Sequence, residues 1–287
     1  MNRRTWIAPL ATLALAVVAP PLHAELVLPR VSPNATVTQT VGTTDLTVTY
    51  SRPGVKGRAI WGALVPYGKP WRTGANDATR FTTTDDITVA GKTLPAGGYS
   101  FFTIPTPTEW TIVFNKEKDL WGAFDYKPEQ DPLRVTVTPA TTAESTEWMR
   151  FSFENLTPQS ADLVLQWEKL RVAVPITVDV NTKVLANARA EIAAAKADDW
   201  RTPYRAASWA FDAGVAKDEA SGWLSQSLQR EKTYNNLSLR ARWLAKDGKK
   251  KEAIAAAKEA VAVGKASKDK VDTAATEKLI ADWTAAN

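Results

Sequence analysis

The chain changes character near Val180, and that change limits its fold more than any motif does. From Val31 to Asp179 it is rich in Thr, Val, Phe, Trp, Pro and Gly, with short runs in which apolar and polar residues alternate. Such runs are Thr36 to Val41, Leu46 to Tyr50, Trp110 to Phe114, Leu133 to Val137 and Met149 to Phe153, and two longer ones cover Ala161 to Leu170 and Val172 to Val178. Period-two alternation of β-branched and aromatic residues is the pattern of a strand with one buried face. Turn-forming clusters separate the runs at Gly42 to Asp45, Pro95 to Gly98, Pro105 to Pro107 and Asn155 to Pro158. About eight to ten strands spaced in this way predict an antiparallel β-sandwich of jelly-roll-like type.

From Thr182 onward Ala, Lys, Glu and Leu dominate and turn residues are scarce. Asn181 or Thr182 is suited to cap a first helix reaching about Lys196. Thr202-Pro203 opens a second with Pro at its first position. Further starts are read at Lys217 or Asp218, Tyr234 or Asn235, Lys249 and Lys270, with Gly248 and Gly264 where helices should stop. The stretch Leu237 to Gly264 resembles a tetratricopeptide repeat: Leu237, Ala241, Leu244, Gly248, Ala253, Ala257 and Ala260 fall at that repeat's packing positions. This implies a tetratricopeptide-like helical hairpin array, too short for a superhelix. The alternative is a plain helical bundle with Ala-rich packing faces.

The N-terminus reads as a secretory signal. Arg3 and Arg4 precede the apolar run Ile7 to Val18, Pro20 and Pro21 break it, and Leu22-His23-Ala24 ends in the small residue that a signal peptidase requires. Cleavage is expected after Ala24, leaving a periplasmic or secreted protein with no integral membrane span. The expected organisation is signal peptide 1–24, β domain 25–180 and helical domain 181–287. His23 is the only histidine, and cysteine is absent. Signal removal therefore excludes a Ser-His-Asp triad, a thiol nucleophile, a Cys/His zinc site and disulfides. Without Arg3 and Arg4, 34 cations face 31 acids, a formal charge of +3 that argues against nucleic acid as a partner.

Residues 51–81 follow neither period. They hold five Gly, three Pro, two Trp and one Tyr, and long irregular loops in compact domains are often functional. Here the chain resembles a secreted bacterial family, domain of unknown function 2911. The resemblance rests on Ser51-Arg52-Pro53, Trp61-Gly62, Leu64-Val65-Pro66-Tyr67-Gly68, Trp71-Arg72-Thr73-Gly74-Ala75-Asn76 and Ala78-Thr79. Gly91-Lys92, Leu94 to Gly97, Tyr99-Ser100, Phe102 to Pro105, Trp110, Phe114-Asn115-Lys116, Trp121-Gly122-Ala123 and Asp131 extend it. It covers roughly Ser32 to Asp179 and implies an all-β secreted domain, sometimes followed by helical repeats, with no assigned activity.

The candidate site is a loop-built pocket around Trp61, Trp71, Arg72, Asn76 and Asp77, walled by Tyr99 and Trp121. Arg72 and Asn76 supply a fork of donors and an amide for a carboxylate, phosphate or sugar hydroxyl; alternatively they staple the loop. Trp61 and Trp71, with Tyr67, form an aromatic platform or plug the sandwich end. Arg52, Lys56 and Arg58 offer a small basic cluster for anionic headgroups, or a solvated turn. The β-domain carboxylates Asp77, Asp85, Asp86, Glu109, Asp119, Asp125 and Asp131 show no spacing that selects a catalytic pair or a regular calcium loop. Trp200, Trp209, Trp223, Trp243 and Trp283 are expected in helix packing, with one or two free to line a peptide groove.

Three functions remain open: an exported binding module for an envelope glycan or peptide with the helical part as a protein-contact surface, a purely structural envelope protein, and a histidine-free hydrolase using two carboxylates. No cofactor and no metal are expected.

Overall fold

The computed structural model describes residues 28–118 and 120–285. The expected signal peptide, its cleavage point after Ala24 and Asp119 lie outside the described residues. Ten strands come first: β1 (Asn34–Val41), β2 (Thr44–Ser51), β3 (Thr79–Thr83), β4 (Ile87–Val89), β5 (Lys92–Leu94), β6 (Gly97–Pro105), β7 (Trp110–Asn115), β8 (Leu133–Val137), β9 (Ala140–Thr157) and β10 (Ser160–Val178). They form a six-stranded sheet, β1-β2-β3-β6-β7-β8, and a four-stranded sheet, β5-β4-β10-β9. Every strand pair in both sheets is antiparallel.

One buried cluster draws on both sheets. Leu46, Val48, Tyr50, Phe81, Phe101, Ile112 and Phe114 come from the larger sheet, and Phe151, Leu163, Leu165, Val174 and Ile176 from the smaller. Tyr50 and Phe101 both meet Phe151 edge-on, at 4.9 and 5.8 Å between ring centroids. The alternation that predicts the strands is the alternation that fills this core.

Residues 161–178 form one strand, although the sequence suggests two runs. Leu163, Leu165 and Trp167 are buried at odd positions, then Val172, Val174, Ile176 and Val178 at even ones. The register against β9 shifts around Glu168, which has a φ of 54°. A β-bulge there moves the period-two phase by one residue without ending the strand.

Six helices follow: α1 (Val180–Ala194), α2 (Arg201–Ala213), α3 (Lys217–Arg230), α4 (Tyr234–Lys246), α5 (Lys250–Ala266) and α6 (Ala274–Ala285). Among the described residues no helix is long and apolar enough to cross a membrane. Four expected helix signals are corrected, the first being the start of α6, which is Ala274 and not Lys270. The α1 cap is Asp179, which accepts from the Thr182 N–H at 3.0 Å, rather than Asn181 or Thr182. Pro203 is the third residue of α2, and the Asp199 carboxylate accepts from the Arg201 and Thr202 amides. Gly264 lies inside α5, not after a helix. A Cβ there would stand 2.8 Å from Thr273 Cγ2 and 3.1 Å from the Tyr234 ring, so close approach, not termination, explains the glycine. Gly248, with a φ of 75°, does end α4.

Small side chains bring the helices together. Ala207, Ala210, Ala220, Trp223, Leu224, Leu239 and Trp243 form one buried cluster, and Ala241, Ala256 and Ala257 another. Trp200, Trp223 and Trp243 are buried, while Trp209 and Trp283 are half-buried against the same clusters. The helical part is tied to the sheets by Lys183 of α1, whose Nζ donates to the Asp85 carboxylate at 2.6 Å and to Thr43 O at 3.0 Å. Burial alone would raise the Asp85 pKa, but bonds from Lys183, Thr44 and Thr84, with the Lys183 charge, hold it below the usual carboxylate value.

Candidate functional site

The long β2–β3 connection, residues 52–78, carries most of the expected site residues, and the core captures its aromatic ones. Trp71 exchanges backbone hydrogen bonds with Thr103 of β6, at 2.8 and 2.9 Å. Its ring is 8% exposed and stacks on Trp167 at 5.8 Å and 19°. Trp61, half-buried, meets Trp71, Trp110 and Trp167 edge-on at 5.9, 5.1 and 5.7 Å. Edge-to-face packing is what the indole quadrupole favours. The four indoles plug the core, so Trp71 offers no free face and no platform forms with Tyr67.

After Trp71 the loop turns sharply. Thr73 and Asn76 have φ values of 52° and 59°, a region that a β-branched residue enters only under constraint. The constraint is local. Thr73 Oγ1 lies 3.1 Å from both Trp71 O and Thr103 Oγ1, and Thr79 Oγ1 donates to Thr73 O at 2.7 Å. Gly74 is required by space, because a Cβ would come within 3.1 Å of both Ser51 O and Thr79 Oγ1. The Asn76 amide donates to Ser32 O and Ser51 Oγ, both at 3.3 Å, which makes it a staple from the loop to the segment before β1 and to the end of β2.

A second loop, the β7–β8 connection, crosses this one. Ala78 N donates to Leu120 O at 2.9 Å and Gly122 N to Asn76 O at 3.2 Å, so Asp77 and Trp121 face each other as an isolated antiparallel bridge. Trp121 is 60% exposed and Phe124 is 85% exposed. Gly122 has a φ of 69°, and its missing Cβ leaves room for the Phe124 ring, 2.9 Å from where that atom would be. Asp77 is exposed and pairs with Arg30 at 3.2 Å. Arg72 lies against the same turn, its Nη1 3.9 Å from the place of a Gly122 Cβ.

Beside the crossing lies a hollow of about 220 Å³ lined by Asn34, Thr49, Tyr50, Ser51, Asp77, Ala78, Arg80, Tyr99, Ser100 and Lys118. Strand register builds its floor, for Thr49 pairs with Arg80 and Arg80 with Ser100 across three strands. Of the expected residues, the fold groups Arg72, Asn76, Asp77 and Trp121, and the hollow takes in Asp77 and Tyr99. Tyr99 is buried and donates its hydroxyl to Pro95 O at 2.7 Å. Burial, then the Asp86 charge, pushes its pKa up. Trp61 and Trp71 belong to the core. Thr49, Arg80 and Ser100, which also line the hollow, and the exposed Phe124 are not marked as candidates by the sequence. Alternation marks the first three as facing away from the core, but only cross-strand register makes them neighbours.

Three other candidates make structural contacts. Arg52 Nε donates to Met149 O of β9, and Arg58 to Gly54 O and Val55 O, so Arg52 ties the loop to β9 and Arg58 holds its turn. Asp131 accepts from Asn115 Nδ2, Tyr126 OH and Arg134 Nε at 2.6, 2.6 and 2.7 Å. Its oxygens are occupied by donors rather than arranged for calcium. Among the described residues no group of three or more acidic, His or Cys side chains is placed to hold a metal ion.

No curated protein and no solved structure matches the chain. A family model, described as protein of unknown function (DUF2911), matches residues 32–176. That span is just over half of the chain and runs from just before β1 into β10, with both crossing loops inside it. The chain therefore belongs to the DUF2911 family.

Proposed function

We propose that the protein is an exported binding module, cleaved after Ala24, whose β half takes an envelope glycan at the loop crossing. One observation carries this reading: a polar hollow lined by Asp77 lies beside a strongly exposed indole, Trp121, paired with that same Asp77. Hydroxyls, a carboxylate and cations meet the polar edge of a sugar, while an indole face meets its apolar C–H face. A hollow of about 220 Å³ is smaller than the ~300–1,000 Å³ of drug-sized sites and suits one sugar ring. The β half is read as a jelly-roll-like sandwich, and the helices as a tetratricopeptide-like array.

The test is titration calorimetry of the purified protein with soluble disaccharide-peptide fragments of peptidoglycan. The expected result is saturable binding that weakens at least tenfold in Trp121→Ala. No binding, or binding that the variant leaves intact, rejects the reading. A purely structural role is favoured for Asn76 and Thr73 by their saturated contacts, but these do not extend to Trp121. The hydrolase reading needs a second carboxylate about 5–9 Å from the first. Asp77 is the only carboxylate lining the hollow among the described residues.

The helical part is proposed as the protein-contact surface, for an acidic polypeptide. Two adjoining hollows share Lys217, Trp243 and Asp247. Phe211, Val215 and Trp243 line them with the cations Lys217, Arg240, Lys246 and Lys249 against the carboxylates Asp218 and Asp247, an excess of positive charge. A Glu-rich peptide carrying Leu and Phe is expected to bind, and Lys246→Glu with Lys249→Glu to abolish that binding; equal binding by the variant rejects this surface.

A further inference from the structure

We infer that Arg72 is an anion-binding group at the loop crossing, and that the ligand is a sugar bearing a carboxylate or a phosphate. This rests on the binding-module reading and names the ligand class. Five described arginines are half-buried: Arg52, Arg72, Arg171, Arg230 and Arg242. Four of them are paired. Arg52 donates to Met149 O, Arg171 to Glu154, Arg230 to Asp199 O and Arg242 to Asp212. Arg72 alone makes no hydrogen bond or ion pair from its side chain among the described residues, and its Nε is shut off from solvent without an acceptor.

An unpaired guanidinium partly out of water is costly, because it loses hydration and gains nothing in return. Burial also pulls the Arg72 pKa below its ordinary value, yet a guanidinium stays protonated at neutral pH. The loop does not leave Arg72 unpaired for want of rigidity. The Trp71 backbone is bound to Thr103, Arg72 O accepts from Thr79 N at 3.1 Å, and the neighbouring Thr73 is fully buried. A rigid backbone therefore holds a cation that the protein leaves without a counter-charge.

The surroundings specify what completes it. Because Nε is closed to solvent, the Nη1–Nη2 end of the guanidinium is the fork that matches a carboxylate or a phosphate, which it binds through two parallel N–H bonds. The turn against which Arg72 lies carries the exposed Trp121 and Phe124 rings, which offer apolar faces to a pyranose. An anion on Arg72 with its sugar ring on Trp121 leaves the hydroxyls facing the polar hollow beside Asp77.

The experiment titrates the purified protein and its Arg72→Met variant with glucuronate, glucose 1-phosphate and glucose, and measures both proteins' melting temperatures. Expected are at least tenfold tighter binding of one or both anionic sugars than of glucose, loss of that preference in Arg72→Met, and an unchanged or raised melting temperature in the variant. Which anion wins separates a sugar acid from a sugar phosphate. A lowered melting temperature makes Arg72 a structural cation and overturns the inference. So does equal binding of glucose and both anions, which leaves the binding module standing with a neutral ligand. Binding of none of the three overturns the inference, and whether the binding module falls with it is decided separately by the peptidoglycan fragments and Trp121→Ala.

Discussion

The segment that follows β7 serves two polar sites, and they are built in opposite ways. On one side Asn115, Tyr126 and Arg134 converge on Asp131, whose side chain is only 3% exposed. Arg134 Nη2 also donates to the Tyr126 hydroxyl, and Asn115 Nδ2 to Lys127 O, so the donors are used and the acceptors filled. On the other side Arg72 stands without an acceptor next to exposed Trp121 and Phe124. A saturated network rigidifies a fold, whereas a polar group kept unsaturated beside exposed rings lowers stability and is the place to look for a ligand. By residue type alone the two sites look alike, since each combines an Arg, an Asn, an Asp and an aromatic.

The largest expected effect breaks the saturated site. Asp131→Ala strands three donors and should destabilise the protein by about 3 kcal/mol in urea unfolding, a charged acceptor being worth more than a neutral one. A loss below about 1 kcal/mol would erase the contrast between the sites. Next is Gly74→Ala, whose Cβ would press on Ser51 O and Thr79 Oγ1. It should cost about 2 kcal/mol, as overpacking of a rigid site does, with a matching fall in melting temperature.

A smaller effect concerns pH. Burial, then the hydrogen bond and charge of Asp131, raises the Tyr126 pKa from 10.0 to about 12. A raised folded-state pKa gives stability that is complete below the unfolded value and is lost as pH rises through the folded one. Stability should thus fall between pH 10.0 and about 12, and Tyr126→Phe should flatten that part of the profile in alkaline unfolding measurements. The smallest effect is Trp121→Ala. Its exposed ring should change stability by less than about 0.5 kcal/mol while binding weakens at least tenfold, and a larger loss of stability would move Trp121 to the structural side of the comparison.

Much of the architecture is legible in local pattern. Leu133 to Val137 and Ile87 to Val89 alternate cleanly and are strands with those limits. The Ala-rich second half folds as six helices: α3 starts at Lys217 without a side-chain cap, α4 starts at Tyr234 behind a Thr233 capping box, and α6 starts at Ala274 rather than at Lys270. β10 reads as two runs because its bulge at Glu168 shifts the phase, and alternation alone cannot distinguish a bulge from a strand end. Gly264 reads as a helix stop because the reason for it, the approach of Thr273 and Tyr234, lies across a helix interface.

The candidate site divides along the same line. Residue types and the irregular 51–81 segment single out the β2–β3 connection, because Gly, Pro and aromatic content are local properties. Nothing local tells Trp71, stacked on Trp167 some 96 positions away, from Trp121, which is exposed. Nor does anything local set Asp77 opposite Trp121, or leave Arg72 without the partner that the other half-buried arginines have. Strand and helix follow from the chemistry of near neighbours along the chain. Burial, pairing and the hollow at the crossing follow from contacts between distant segments, which exist only once both sheets have closed on their common core.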